Sequence, residues 1–184
     1  MRKSKAETAE TREAIVSAAA DHLRRSGIAG SSLADMMAAA GLTQGGFYRH
    51  FRDKEQLVAE GLSAAGAKTT SIIRRSIEKG GIRAAVDNYL SRTHRDAAIP
   101  ICPFAALGSE IARSSEEVKA AAGAVLEELF GLLANGDSAP KARAEAIVAL
   151  CTLVGAMTLS RVTAGTGLSD EILKQDKHHL HELR

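Results

Sequence analysis

The chain has 184 residues, 45% of them hydrophobic, only three prolines and a formal net charge of +2. That length allows a small head and a larger body, each with its own core, and the near-neutral charge excludes wholesale coating of nucleic acid. Aromatics are 3%, so the core must be built from Leu, Ile, Val, Ala and Met, and the two cysteines, Cys102 and Cys151, fit neither a disulfide framework nor a zinc spacing.

The small positive excess is local. Residues 1–55 carry nine Lys/Arg against seven Asp/Glu, and residues 56–184 carry fifteen against fifteen. The polar N-terminus leads straight into a helix and has no signal-peptide character. The longest uncharged stretch of the C-terminal half, Ala144 to Ser160 and broken by Glu145, is shorter than the ~20 apolar residues of a bilayer span. A soluble cytoplasmic protein with no membrane partner is expected.

Residues 1–10 are charged and polar and are expected to fray. A first helix is predicted from about Thr11 to Ser26, with Ile15, Ala18, Ala19, His22 and Leu23 on one stripe and Gly27 as its stop. The second opens at Ser32 with Asp35 as capping-box partner and ends at Gly41. The third starts at Thr43, a second hydroxyl N-cap, and runs to about His50. The fourth takes Asp53 as N-cap with Gln56 at N3, and continues to about Glu78, where Gly80-Gly81 ends it. Helices over 82–96, 103–112, 115–134, 139–164 and 169–182 complete an all-α chain with short loops at Pro100, Asn135-Gly136 and Gly165-Thr166-Gly167.

Gly41 to Leu57 (GLTQGGFYRHFRDKEQL) is the most informative stretch. Three of the six aromatics, Phe47, Tyr48 and Phe51, fall there, interleaved with Arg49, His50, Arg52 and Lys54. A helix, a glycine turn and a short helix with a polar start and an aromatic-basic end form the pattern of a helix-turn-helix reader of DNA. Thr43 to Gly46 form the first turn of the recognition helix, where free amides, the helix dipole and the Thr43 hydroxyl attract phosphate. Gln44 can pair bidentately with adenine. Gly45 and Gly46 cost helix propensity, and close approach to DNA is the offsetting reason. Tyr48, Arg49, His50 and Lys54 are candidate DNA contacts, and Ser32 is a cap whose hydroxyl or amide can also meet phosphate. Phe47 and Phe51 share a face and belong to the core.

With TREAIVSAA upstream, SSLADMMAAAGLTQGGFYRHF and the following DKEQL, residues 11–57 resemble the N-terminal domain of the TetR family of bacterial transcriptional regulators. CPFAALGSEIARSS and LSDEIL are similar to one common C-terminal type of that family. The resemblance implies an N-terminal three-helix helix-turn-helix domain, residues 1–52, and a C-terminal helical ligand-binding and dimerisation domain, residues 53–184. It implies a dimeric repressor, occasionally an activator, that binds a double-stranded DNA operator and lets go when a small-molecule effector enters the body. Family DNA contacts map to Ser32, Thr43, Gln44, Gly45, Gly46, Tyr48, Arg49, His50 and Lys54. Many relatives carry Lys or Arg where this chain has Gln44, which bears on the operator sequence.

The effector pocket implied by the resemblance lies among the body helices under the connector. Candidate walls are Tyr89, Thr93, Cys102, Phe104, Leu107, Ile111, Leu126, Phe130 and Met157. Their few polar handles favour an apolar or aromatic effector. Cys102 precedes Pro103 at a helix N-terminus, where the dipole lowers a thiol's pKa, so a redox or electrophile trigger is the alternative signal. Cys151 is expected in the core.

Ala146 to Ser160 holds no charge, so its helix must be buried all round, one face against a second copy. Ile147, Leu150, Cys151, Val154 and Thr158, with Ile172, Leu173 and Leu180, are the candidate homodimer seam. His178, His179 and His181, with Asp176 and Glu182, have helical spacing compatible with a metal, but a solvated tail or dimer edge is the plainer reading and no metal or cofactor is expected. No nucleophile elbow, phosphate loop or HExxH motif suggests an enzyme.

Overall fold

The computed structural model describes residues 5–182, in which every regular element is helical. Helix α1 (Lys5–Ser26) begins earlier than its apolar stripe suggested, so residues 5–10 are helical; the rest of the expected frayed stretch lies outside the described residues. Ile15, Ala19 and Leu23 form its buried face. Helix α2 (Leu33–Ala39) starts with a complete capping box: Ser32 Oγ accepts from the Asp35 amide at 3.1 Å, and the Asp35 carboxylate accepts from the Ser32 amide at 2.9 Å.

The recognition segment, Gln44–Arg49, is a 3-10 helix, and Thr43 occupies the N-cap position without a side-chain capping bond. Helix α3 (Lys54–Tyr89) opens at Asp53, which accepts from the Gln56 amide at 2.9 Å. It kinks at Gly80 and Gly81, the latter at φ +71°, a conformation that glycine adopts without penalty. The expected helix over 82–96 is therefore two pieces: the end of α3 and the single turn α4 (Arg92–Arg95). Helices α5 (Pro103–Ile111), α6 (Glu116–Leu133), α7 (Pro140–Val162) and α8 (Gly167–Glu182) follow within a few residues of expectation.

Two apolar clusters organise the packing. The first joins Ile15, Leu23, Met36, Met37, Phe47 and Phe51 of the head to Leu57 and Leu62 of α3, and closes with Leu107 and Ile111 of α5 and Val118 of α6. The second gathers Ile73, Val86, Tyr89, Cys102, Leu129, Leu150, Leu153, Met157 and Leu173. Helix α3 runs through both clusters, with its longest contact along α6. There Gly66 lets the helices approach: a Cβ at this position would meet the Val125 methyls at 2.5 Å. Helix α3 thus joins the packing of the body to that of the head.

Helix α7 spans 23 residues, long and apolar enough by length and composition to cross a bilayer, which the shorter uncharged run did not suggest. It packs against α5, α6 and α8 with Ala146, Ala149, Leu150, Leu153, Ala156 and Met157 buried. Its other face stays open.

Candidate nucleic-acid interface and effector site

In the head, the residues expected to touch DNA divide into an open segment and its support. Thr43, Gln44, Gly45, Tyr48 and Arg49 are exposed, and Gly46 is half-buried. Tyr48 is 74% exposed, while its neighbours Phe47 and Phe51 stack at 5.4 Å inside the core, as their shared face required. A Cβ at Gly45 or Gly46 would meet nothing within 4 Å, so packing within the protein does not demand either glycine. The Thr43 hydroxyl makes no cap bond, in contrast to the sequence expectation. Ser32 is exposed, but its hydroxyl is engaged with Asp35 at 2.6 Å as well as with the Asp35 amide. Those bonds to Ser32 hold the Asp35 carboxyl below its usual range, with a smaller contribution from nearby Lys54. The starts of α2 and α3 are thus within electrostatic reach of each other.

Sequence reasoning missed the group that fixes this segment. Arg12 of α1 donates to the His50 carbonyl at 3.3 Å and to Glu60 at 2.5 Å, and its guanidinium lies 4.7 Å from the Phe51 ring centroid. One side chain therefore joins α1, the end of the recognition segment and α3. Its position one turn before Ile15 was the available signal. Arg52 is occupied elsewhere, bridging Asp53 and Glu117, each at 2.6 Å.

In the body, the expected pocket walls do not form one site. Leu107 and Ile111 belong to the head cluster, and Thr93 is exposed on α4. Leu126 and Phe130 are half-buried against the body core, Phe104 lies between the two clusters, and Met157 is fully buried. Tyr89 alone of the nine lines the internal cavity bounded by Thr69, Ile72, Ile73, Ala85, His94 and Ile101. That cavity is about 20 Å³, room for one water.

Around it sits a polar cluster of which the pocket expectation named Tyr89 and Cys102 but not His94 or Arg161. The Tyr89 and His94 rings meet edge to face at 4.6 Å, and His94 Nδ1 lies 2.8 Å from the Tyr89 carbonyl. Burial lowers the His94 pKa to about 4. Its ring is therefore neutral at pH 7, with Nδ1–H donating to Tyr89. From the end of α7, Arg161 donates to the carbonyls of His94 at 2.9 Å and Arg95 at 3.3 Å. Cys102 is fully buried, and burial raises its thiol pKa despite the facing Tyr89 hydroxyl and α5 amides, which pull the other way. The expected dipole-lowered thiol is thus overturned by desolvation.

Residues 15–60 match the sequence profile of the bacterial regulatory proteins, tetR family. Over 54 residues, 29% of this chain and 26% of the relative, the head is 48% identical to the HTH-type transcriptional repressor BepR of Brucella suis biovar 1. The matched stretch spans about a quarter of the length of the first curated relatives. Across the whole fold, a TetR transcriptional regulator from Chloroflexus aurantiacus superposes with a TM-score of 0.75 at 26% identity, covering 95% of this chain and 94% of that one. The head of the chain, residues 15–60, is a TetR-family domain. The fold of the whole chain is also that of E. coli NemR in the reduced form, with a TM-score of 0.80 at 20% identity over 94% of this chain and 96% of that one. These relatives are named as transcriptional regulators.

The open face of the body is rotated from the seam expected on α7. Ile147, Cys151 and Thr158 are exposed and Val154 and Ile172 are half-buried, but Leu150, Leu173 and Leu180 are buried within the protomer. Cys151, expected in the core, lies on this open face. Val148, Leu159 and Val162 of α7 and Leu168 of α8, not singled out from sequence, are 52–76% exposed. In the tail, His178 lies 3.2 Å from Glu182 and His181 3.4 Å from Asp87, so these histidines meet carboxylates.

Proposed function

We propose that this chain is a TetR-family regulator, a homodimeric, cytoplasmic repressor released from its operator by a small molecule that enters the body. The observation that carries the DNA-reading half is the exposed run Thr43–Arg49, held by a core that buries Phe47 and Phe51. In this reading Thr43, Tyr48, Arg49, His50, Lys54 and the Ser32 end of α2 meet phosphate, Gln44 reads a base edge, and Gly45 and Gly46 let the backbone approach. Residues 1–52 act as the reading head and residues 53–184 as the effector and dimerisation body.

The apolar α7 face with Leu159, Val162 and Leu168 is the surface for the second copy. Pairing sets the separation of the two recognition segments, which must match about 34–36 Å for successive major grooves. A small hinge of α3 is then enough to break operator binding. Fluorescence anisotropy on DNA from the chain's own upstream region, across a salt series, tests this. Selective binding that weakens steeply with salt is expected; binding equal to that on random DNA at every salt concentration removes that operator.

A second reading places the trigger at Cys102, prompted by the fold shared with a protein crystallised in a reduced form. Full burial of the thiol argues for a packing role instead. Operator release by oxidant that persists in Cys102→Ser removes this reading.

A further inference from the structure

Arg161 is a cation without an anion. It is half-buried at the end of α7, and among the described residues no carboxylate pairs with it. The acids around neighbouring Arg95 are already taken: Asp170 pairs with Arg92 and Arg95, and Asp96 with Arg95. Main-chain carbonyls of His94 and Arg95 hold Nε and Nη2, which fixes the guanidinium, but Nη1 is buried with no hydrogen-bond partner.

A second under-satisfied donor stands within electrostatic reach of that guanidinium. Tyr89 is 5% exposed, and its buried hydroxyl faces only the Cys102 thiol, a weak acceptor, with no oxygen or nitrogen partner. His94 Nε2 is buried and unpartnered too, but it is a lone acceptor because Nδ1 carries the proton. It repels an oxyanion, so an anion is directed toward Arg161 and Tyr89. Ile72, Ile73, Ala85 and Ile101 form the apolar part of the cavity wall, with Thr69 and Asn88 as its remaining polar residues. Two under-satisfied donors within electrostatic reach of each other, one of them a fixed cation, are how a protein recognises a carboxylate.

We propose that the body binds a small organic carboxylate, whose oxygens accept from Arg161 Nη1 and Tyr89 Oη while its apolar tail lies along Ile72, Ile73 and Ile101. This rests on the effector-binding reading above and replaces the purely apolar effector with an amphipathic acid. The existing cavity of about 20 Å³ is too small for such a tail. Entry must displace the Pro100–Ile101 segment, whose Ile101 carbonyl is held by Thr69 of α3 and by Arg24 of α1, each at 3.0 Å. Occupancy would thus loosen a direct link between the body and the head.

The test titrates the full-length protein by calorimetry with butyrate, benzoate and phenylacetate, each beside its neutral amide, and reads operator anisotropy in the same samples. At least one acid should bind about tenfold or more tighter than its own amide. Tyr89→Phe, which keeps the ring packing, should weaken that acid about tenfold, and Arg161→Gln should erase the preference for acid over amide. Amides that bind as tightly as acids, no acid binding at about 10 mM, or an unchanged affinity in Tyr89→Phe would each overturn the proposal. Release of DNA by an amide alone would leave the effector reading standing and remove the carboxylate. Acid binding without any change in DNA affinity would leave the site and remove its role as the effector trigger.

Discussion

Arg24 in the head and Ile101 in the body are joined directly: the Arg24 guanidinium donates to the carbonyl of Ile101, and to that of Pro100, each at 3.0 Å. Arg24 is only 4% exposed, is paired with Asp21, and also donates to the Ala20 carbonyl at 3.0 Å. Since Thr69 donates to the same Ile101 carbonyl, the segment before α5 is tied at once to α1 and α3. Arg24→Met should lower unfolding stability by about 1.5–3 kcal/mol, the range for hydrogen bonds to a charged group. Thr69→Val should cost about 1 kcal/mol, because Arg24 still satisfies the carbonyl. Urea unfolding of both variants checks the order, and equal losses would remove the special role given to Arg24.

Gly45 and Gly46 separate stability from recognition. Since added methyl groups there meet nothing in the protein, Gly45→Ala and Gly46→Ala should raise stability, each by up to about 1 kcal/mol of helix propensity. The same changes should weaken operator binding if the backbone meets DNA at this turn. Thermal unfolding and anisotropy on one set of samples give both numbers. Greater stability with undiminished binding would show that DNA does not approach these positions.

Charge and base reading also separate. Lys54→Gln should weaken binding to all sequences and reduce the slope of log affinity against log salt by about 0.9 for each phosphate left without its cation. Tyr48→Phe removes a neutral donor, so it should weaken all sequences while leaving the slope unchanged. Gln44→Ala should relax preference at one base pair, at about 1–3 kcal/mol of discrimination. Competition titrations with single-base operator variants at several salt concentrations distinguish the three outcomes.

What the sequence revealed depended on how local each cause was. The caps at Ser32 and Asp53 were legible because donor and acceptor lie three residues apart. Burial of Phe47 and Phe51 was legible because an i, i+4 aromatic pair shares one face. The rotation of α7 was not legible: with no charge from Ala146 to Ser160, nothing in the pattern marked a wet side, so Leu150 was placed at the seam and Val148 and Leu159 were passed over. Arg24 and Arg161 were missed for a different reason. Their partners are main-chain carbonyls 66–77 residues away, and carbonyls carry no sequence signature. The 3-10 form of Gln44–Arg49 also escaped a reading that assumed an α-helical turn.

The α7 face offers a test in which two neighbouring leucines behave oppositely. Leu159 is 56% exposed and Leu150 is 2% exposed. Leu159→Glu should therefore leave the protomer folded but shift sedimentation from dimer to monomer, and operator affinity should fall with it. Leu150→Ala should instead open a core cavity and cost about 2–5 kcal/mol of stability. A Leu159→Glu protein that remains dimeric would place the second copy elsewhere.

His94 predicts the acid limb of the stability profile. Its folded pKa is lowered to about 4, below the ordinary 6.5, because burial disfavours the charged ring. Between those values the unfolded chain binds a proton that the folded protein refuses, so stability falls as pH drops from about 6.5 toward 4. Above pH 6.5 both states are neutral and the contribution is complete. The full loss from this one residue is up to about 3 kcal/mol. Acidic groups held by hydrogen bonds, such as Asp35 and Asp53, lose stability over a lower range, so the His94 effect is read as a difference between proteins. Urea unfolding of the native chain and of His94→Asn at pH 7, 6, 5 and 4.5 should show the gap between them change steadily below 6.5, with the variant less sensitive to acid. Parallel profiles would mean that the ring protonates in the folded state as readily as in the unfolded one.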